Sequence, residues 1–567
     1  APCAARTIAR EHPMHFRSLV ELQRWQANRL GPRPALRYRK YGTFRNVAWD
    51  DYRQNTLACA AALTEAGIAP GDRVGLWSEN RVEWLLADMG IMTAGAVNVP
   101  AHASLPAVAV ARQLADAGVR WLFVPTEAHA EKIRAVQTEM PELQGVVSFD
   151  RVSHAGASAW SGFLQRGRML LPKLAMELER RERELATDDL ATIMYTSGTT
   201  GNPKGVMLTH GNLLSNAEAL LDILPDPAEI VLLNWLPFSH IFARLCDHYL
   251  CLRAGFLMVL ATSAETVPFD IMEVQPTHLH GVPRLFEKML AAAQTAPTPE
   301  EAKRRLKFMF GRRLDWVMSG GAPLPPKICS AYHEAGIRLL QGYGLTETSP
   351  VLTTNRPENY RVESAGLPIP GVELKIAPDG EILATGPNVM KGYWQQPQAT
   401  AAAIRDGWFH TGDMGRIDAD GFLYITGRKK ELLVLSNGKK VYPTEVEGAL
   451  QAEPCIEQAI VFGEKKNFLS ALIVPNWSKL RQVLAERGET LRGTDEELAR
   501  HPAVKKILRE RIDAALAHAA GWEQIKEFVI RPQPFSIASG ELTVSLKMRR
   551  EVIFQNHAHE FEALYNG

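Results

Sequence analysis

The feature that most constrains this chain is a repeated pairing of helix and strand between Phe16 and about Val124. Trp49 to Gly67 sets Leu57, Ala61, Leu63 and Ala66 along one side, as an amphipathic helix does, and Arg73-Val74-Gly75-Leu76-Trp77 follows as a short apolar strand. Trp84 to Gly95 with Ala96-Val97-Asn98-Val99-Pro100, and Ala107 to Gly118 with Trp121-Leu122-Phe123-Val124, repeat the pattern. Strands joined through helices run parallel, so β-α-β units and an α/β fold are expected.

A chain of 567 residues exceeds one hydrophobic core, and two or more domains are expected. Apolar residues at 46% and charged residues at 22% supply ordinary globular core material. The formal charge of +1 argues against a nucleic-acid partner. Six cysteines, Cys3, Cys59, Cys246, Cys251, Cys329 and Cys455, include no C-x-x-C pair and read as reduced and mostly buried. Ala1 to Phe16 has no apolar stretch long enough for a signal peptide, and its lack of a leading methionine reads as processing or trimming. Leu85 to Val99 and Ile230 to Leu260 are interrupted by polar residues and do not read as membrane spans; the reduced cysteines fit a cytoplasmic location.

Further along, Met176 to Asp188 reads as a charged, solvated helix leading into the strand Leu190-Ala191-Thr192-Ile193-Met194-Tyr195. A helix is expected from Asn212, strands near Val231 to Trp235 and Phe256 to Leu260, and a helix from His240. The basic cluster of Lys303, Arg304, Arg305, Lys307, Arg312 and Arg313 reads as a solvated helix and loop. From Gly366 the rhythm changes to hairpins around Pro378-Asp379-Gly380 and Asp420-Gly421, as in a small β subdomain. Past Gly427, helices at Glu445 to Gln451 and Leu508 to Ala519 mark a second domain.

Chemistry concentrates after the strand at 190–195. Thr196 to Gly205 packs three glycines (Gly198, Gly201, Gly205) and four hydroxyl residues (Thr196, Ser197, Thr199, Thr200) ahead of and around Lys204. Glycines let backbone N–H groups turn toward an anion, and the hydroxyls and the lysine add donors and charge. Counted from Gly198, a Walker A loop would need glycine at 203 and a hydroxyl at 205, where this chain has Pro203 and Gly205. A different kind of phosphate loop is therefore expected.

Residue by residue, this loop resembles the signature loop of the adenylate-forming superfamily, which includes acyl-CoA synthetases, luciferases and peptide-synthetase adenylation domains. Further segments resemble the family's motifs in order. Leu236 to Arg244 resembles the acyl-side segment, with His240 beside the reacting carboxylate and no aspartate there for an amino group. Ser319-Gly320-Gly321-Ala322-Pro323 is similar to the segment lining the adenine pocket. In Gln341-Gly342-Tyr343-Gly344-Leu345-Thr346-Glu347, the resemblance implies adenine stacking by Tyr343, a phosphate hydrogen bond from Thr346 and a magnesium ligand in Glu347. It implies ribose contacts from Asp413 and Arg428, a hinge at Lys430, and a thiol tunnel at Gly438 and Lys439. Leu542 to Arg550 resembles the segment of the catalytic lysine, here Lys547, with Val544 where proline is usual.

The resemblance spans about residues 16 to 555. It implies a large N-terminal α/β domain at 1–427 with a β-rich subdomain at about 366–427, and a smaller mobile α+β domain at 428–567. It also implies ATP, Mg2+ and coenzyme A, and activation of a medium- to long-chain fatty acid to acyl-AMP and then acyl-CoA. A peripheral membrane contact would suit a lipid substrate; oligomeric state is unread. Two alternatives stand: a ligase that passes acyl-AMP to a carrier-protein thiol, and a non-catalytic nucleotide- or acyl-CoA-binding relative.

Overall fold

The computed structural model describes residues 16–153, 156–196, 203–224, 230–314, 316–489, 492–536, 539–542 and 548–565. The chain divides into two compact units: Ala1–Leu324 with Ile328–Leu374 and Leu383–His410, and Pro325–Lys327 with Lys375–Ile382 and Thr411–Gly567.

The first unit holds two large sheets. One runs in the order Gly392–Tyr393, Lys204–Thr209, Leu190–Thr196, Val97–Ala101, Arg73–Trp77, Val119–Val124, Gly145–Ser148 and Ser158–Ala159. The expected parallel units form its centre, with Arg73↔Val97 and Val74↔Trp121 in parallel register. Val97–Ala101 is buried along its whole length, including Asn98, whose amide donates to Asp88 Oδ1 at 2.5 Å. The other sheet runs Leu367–Pro368, Val351–Thr354, Arg338–Gly344, Trp316–Ser319, His278–Gly281, Val231–Asn234, Leu257–Leu260, Pro34–Lys40 and Thr43–Ala48. Pro34–Lys40 and Thr43–Ala48 form an antiparallel hairpin within a stretch whose rhythm suggests only parallel units.

Two helices show how sequence and packing cooperate. Trp49–Glu65 begins with Asp50 and Asp51, whose charges suit the positive end of the helix dipole. Across it lies Trp160–Glu184, and the approach is so close that a Cβ on Gly167 would stand 1.8 Å from the Ala58 carbonyl oxygen. This second helix corrects the reading of a charged lead-in at Met176 to Asp188. It starts sixteen residues earlier, runs through Pro172, and ends at Glu184. The proline removes one hydrogen bond, but burial of Trp160, Phe163, Leu164 and Leu178 holds the helix against the core. Nor is its charged run wholly solvated. Arg181 is buried and donates to the Ile68 and Ala94 carbonyls, and Glu182 is buried against Arg53 at 2.6 Å.

The core also carries a fully buried ion pair. Arg244 meets Asp88, and Asp88 accepts further hydrogen bonds from Asn98 and the Tyr249 hydroxyl. Arg244 donates its other terminal nitrogen to Thr192 Oγ1 at 2.7 Å, on the strand that leads into the phosphate loop. Burial alone would favour the neutral acid, but Arg244, His248 and Asn98 outweigh it and hold the Asp88 carboxyl down to about 2.

In the second unit, Ile456–Phe462 pairs antiparallel with Leu469–Pro475, which pairs parallel with Ile525–Ile530. The helices Pro443–Gln451 and Pro502–Ala515 pack on this sheet around Leu450, Val461, Ile473 and Leu508. The Asp-Gly turns form as expected: Gly380 and Gly421 have φ of +92° and +88°, values that favour glycine. Among the described residues, no helix is long and apolar enough to cross a membrane.

Candidate active site

Four parallel strands of the nine-stranded sheet end on one edge: Val231–Asn234, His278–Gly281, Trp316–Ser319 and Arg338–Gly344. The segments that follow three of them carry His240, Gly320 to Pro323, and Thr346 with Glu347. Ligands of α/β sheets bind beyond such carboxyl ends, where loops diverge over a rigid floor.

Beyond Trp316–Ser319, the Gly320 N–H donates to the Gly281 carbonyl at 3.1 Å, and Gly321 turns the chain with φ of +80°. Gly321, Ala322 and Pro323 are exposed, leaving their backbone open to a flat ring. On the adjacent strand, Ser319 is in register with Gln341, whose side chain is braced on the Val362 carbonyl at 2.8 Å. Gly342, Tyr343 and Gly344 pair antiparallel with Thr354, Thr353 and Val351. Gly344 tolerates no side chain, since a Cβ would lie 1.7 Å from the Pro350 carbonyl oxygen.

Thr346 and Glu347 fall in a single 3₁₀ turn, Thr346–Thr348, and both are half-buried. Glu347 Oε1 accepts a hydrogen bond from the Tyr393 hydroxyl at 2.9 Å, and Lys204 Nζ lies 4.8 Å from the centroid of the same tyrosine ring. Backbone pairing fixes this line. Thr196 pairs with Lys204 in an antiparallel hairpin, and Tyr393 pairs with Val206 on the far side. Asn212 completes the support. Its Oδ1 and the Thr209 hydroxyl cap the helix His210–Leu221 reciprocally, while its amide donates to the Pro387 and Val389 carbonyls. Burial, reinforced by the Glu347 charge, raises the Tyr393 pKa, so the hydroxyl stays a donor.

His240 caps the short helix Ile241–Ala243, with Nδ1 accepting from the Phe242 N–H at 3.3 Å. The Phe242 ring packs against Gly320, where a Cβ would meet it at 3.0 Å. The segments 236–244 and 319–323 are thus in contact.

In the second unit, Arg428 Nε is 2.8 Å from Asp413 Oδ1, with Asp413 buried and Arg428 exposed. Lys430 stands in the exposed turn Lys429–Glu431, and its neighbour Lys429 bonds Asp379 and Glu381 at 2.6 and 2.8 Å. Gly438 has φ of +79° in a turn closed by its N–H on the Leu435 carbonyl, and Lys439 Nζ lies 4.4 Å from the Trp522 ring centroid. Ser197, Gly198, Thr199, Thr200, Gly201 and Lys547 lie outside the described residues.

Glu347 has the surroundings a magnesium ligand would need. One of its oxygens accepts the tyrosine hydrogen bond, the other makes no hydrogen bond among the described residues, and the side chain is not sealed from solvent. A lone carboxylate of this kind suits an ion that arrives with phosphate ligands and water.

The family model described as AMP-binding enzyme matches residues 23–394, and the one described as AMP-binding enzyme C-terminal domain matches 430–567. The chain belongs to the AMP-binding enzyme family. Among curated members of that family, it is 34% identical to long-chain-fatty-acid–CoA ligase FadD15 of Mycobacterium tuberculosis, over 93% of each chain. It is 28% identical to fatty acyl-CoA synthetase A of Dictyostelium discoideum, over 95% of this chain and 88% of that one. The AMP-binding fold is also seen in the crystal structure of the anthranilate CoA ligase AuaEII with anthranoyl-AMP, with a TM-score of 0.79 at 20% identity, covering 98% of this chain and 100% of that one.

The sequence reading of this family member passed over Tyr393. Its one local signal is Lys391-Gly392-Tyr393-Trp394, a glycine followed by two aromatic residues, which does not mark a site until strand pairing brings it to Glu347.

Proposed function

We propose that this protein activates a medium- to long-chain fatty acid: the carboxylate attacks the α-phosphate of ATP to give acyl-AMP and pyrophosphate, and the thiol of coenzyme A then displaces AMP. The observation that carries this reading is the 34% identity, over nearly the whole chain, to a protein named as a long-chain-fatty-acid–CoA ligase.

In the first half, the loop 196–205 with Lys204 would hold the departing phosphates, and Tyr343 with the 320–323 turn would receive adenine. Glu347 would hold magnesium, which when bound supplies positive charge to the phosphates. Tyr393 contacts both Glu347, through its hydroxyl, and Lys204, through its ring. His240 would stand beside the attacking carboxylate, and Lys547 would stabilise the charge that builds between it and the α-phosphate. Such preorganised donors accelerate reaction without a covalent enzyme intermediate. Asp413 and Arg428 would take the ribose. For the second half, we place the thiol path at Gly438 and Lys439, the domain boundary at 427/428 and the pivot at Lys430. A cytoplasmic enzyme touching a membrane peripherally would suit a substrate that partitions into lipid.

The test is pyrophosphate release across acids of increasing length, followed by thioester formation with coenzyme A or a phosphopantetheinylated carrier protein. Best turnover with long acids and coenzyme A is expected. A preference for acetate or an aryl acid would overturn the substrate, exclusive use of the carrier would overturn the acceptor, and ATP binding without turnover of any acid would favour the non-catalytic alternative.

A further inference from the structure

Three aromatic side chains are more than half exposed among the described residues: Tyr41 at 93%, Phe269 at 76% and Phe308 at 64%. They fall on three adjoining elements of the first unit. Tyr41 stands at the tip of the hairpin formed by Pro34–Lys40 and Thr43–Ala48, Phe269 on the helix Val267–Val274, and Phe308 on the helix Pro299–Met309. Arg39, two residues before Tyr41, pairs with Glu273, which lies one turn beyond Phe269 on the same side of its helix. At the C-cap of that helix, Gln275 Oε1 accepts the Arg312 N–H at 2.8 Å and so ties it to the segment that follows Met309. The helix Val267–Val274 therefore bridges the hairpin and the helix that carries Phe308.

The same elements carry positive charge that the fold does not neutralise. From Arg33 to Trp49 the sequence holds five cations and no Asp or Glu. Arg39 is taken by Glu273, but Lys40 and Arg45 are exposed and form no ion pair among the described residues. Arg304, one turn before Phe308, and Arg312 and Arg313 just after it are likewise exposed and without an ion pair among those residues. Tyr41 adds a separate sign. Its φ of +51° lies in the left-handed region, which a bulky side chain seldom adopts and which asparagine or glycine would fill at less cost. The turn itself does not call for a tyrosine.

We propose that this face docks on an anionic phospholipid bilayer, with Tyr41, Phe269 and Phe308 entering the interfacial layer and the cations beside them meeting lipid phosphates. The inference names the face and the lipid charge for the peripheral membrane contact above, and rests on that reading. Exposed rings flanked by uncompensated positive charge complement a surface that is negative outside and apolar just beneath. An acidic peptide or a nucleic acid would satisfy the cations and leave the rings in water. Docking of this kind holds the protein at the phase into which a long-chain acid partitions.

The experiment is sedimentation of the full chain with vesicles of phosphatidylcholine alone and of phosphatidylcholine with phosphatidylglycerol in equal parts. Binding to the anionic vesicles should exceed binding to the neutral ones by roughly 10-fold or more and fall as salt rises. Lys40→Gln with Arg45→Gln should weaken it by roughly 25-fold, at about fivefold for each cation near the surface. Tyr41→Asn, which suits the turn, and Phe269→Ser should each weaken it by roughly 10-fold, as loss of a partly buried ring does. Arg481→Gln with Arg487→Gln removes the same charge from the second unit and should leave binding nearly unchanged. Pyrophosphate release from a medium-chain acid in solution should be the same in every variant, which shows that each folds. Equal binding to both vesicles, no binding, undiminished binding by the Tyr41, Phe269 and Lys40 variants, equal loss in the second-unit variant, or capture by polyglutamate in place of vesicles would each overturn the inference. No turnover of any acid by the unaltered chain would instead overturn the fatty-acid reading, since vesicle binding is read without turnover.

Discussion

Tyr393 donates its hydroxyl proton to Glu347 Oε1 across 2.9 Å while Lys204 stands 4.8 Å from the centroid of its ring. One aromatic side chain therefore sets the relative position of the cation we propose for phosphate and the carboxylate we propose for magnesium. The three residues come from segments up to 189 positions apart, joined by the pairing of 206–207 with 392–393.

Removing the hydroxyl tests this relationship. Tyr393→Phe keeps the ring under Lys204 and deletes only the bond to Glu347. A hydrogen bond to a charged group contributes about 1.5–3 kcal/mol, so adenylate formation should slow by roughly 10- to 100-fold. Thioester formation from supplied acyl-AMP should change little. Equal loss in both half-reactions, measured by pyrophosphate release and by thioester yield, would place Tyr393 in general folding instead.

Lys204→Ala is expected to slow pyrophosphate release by roughly 10²-fold, as loss of one preorganised donor does. Thioester formation from acyl-AMP should persist, because no pyrophosphate leaves in that half. Single-turnover measurement of each half separates the two outcomes.

Lys547→Ala should slow adenylate formation by roughly 10²- to 10³-fold and spare the thiol step. Comparable damage to both halves would argue against its assigned role between carboxylate and α-phosphate.

Arg244→Met should destabilise the protein by about 3–5 kcal/mol, because it leaves the Asp88 charge buried without its partner. Chemical denaturation measures this directly. A loss below about 1 kcal/mol would mean that Asn98, His248 and Tyr249 suffice to hold the carboxylate.

His210 supplies a pH dependence. It is buried, accepts the Leu19 N–H at Nδ1 at 3.3 Å, and burial pushes its pKa down to about 4. The unfolded chain, with an ordinary value near 6.5, binds a proton first as pH falls. Stability is thus fully present above about 6.5, declines through that window and has lost its His210 share below about 4. At about 1.4 kcal/mol per pH unit, the share is roughly 3 kcal/mol. His210→Gln should flatten denaturation midpoints across this range, and an unchanged slope would remove His210 as the cause.

The sequence by itself determined the parallel core of the first unit, because Arg73–Trp77, Val97–Ala101 and Val119–Val124 are apolar runs whose periodicity contrasts with that of the helices between them. It also singled out the segments we propose for the site, since glycine, hydroxyl and charged residues at close spacing are local signals. It misjudged Arg181 and Glu182, because a charge run reads the same whether water or the Ile68 carbonyl and Arg53 receive it. Only the tertiary structure decided that Thr196 pairs with Lys204 in one hairpin, and that Tyr393 reaches Glu347. Each depends on register between strands or elements distant in the chain, and register is set by packing and hydrogen bonding across the sheet, which no local stretch of residues encodes.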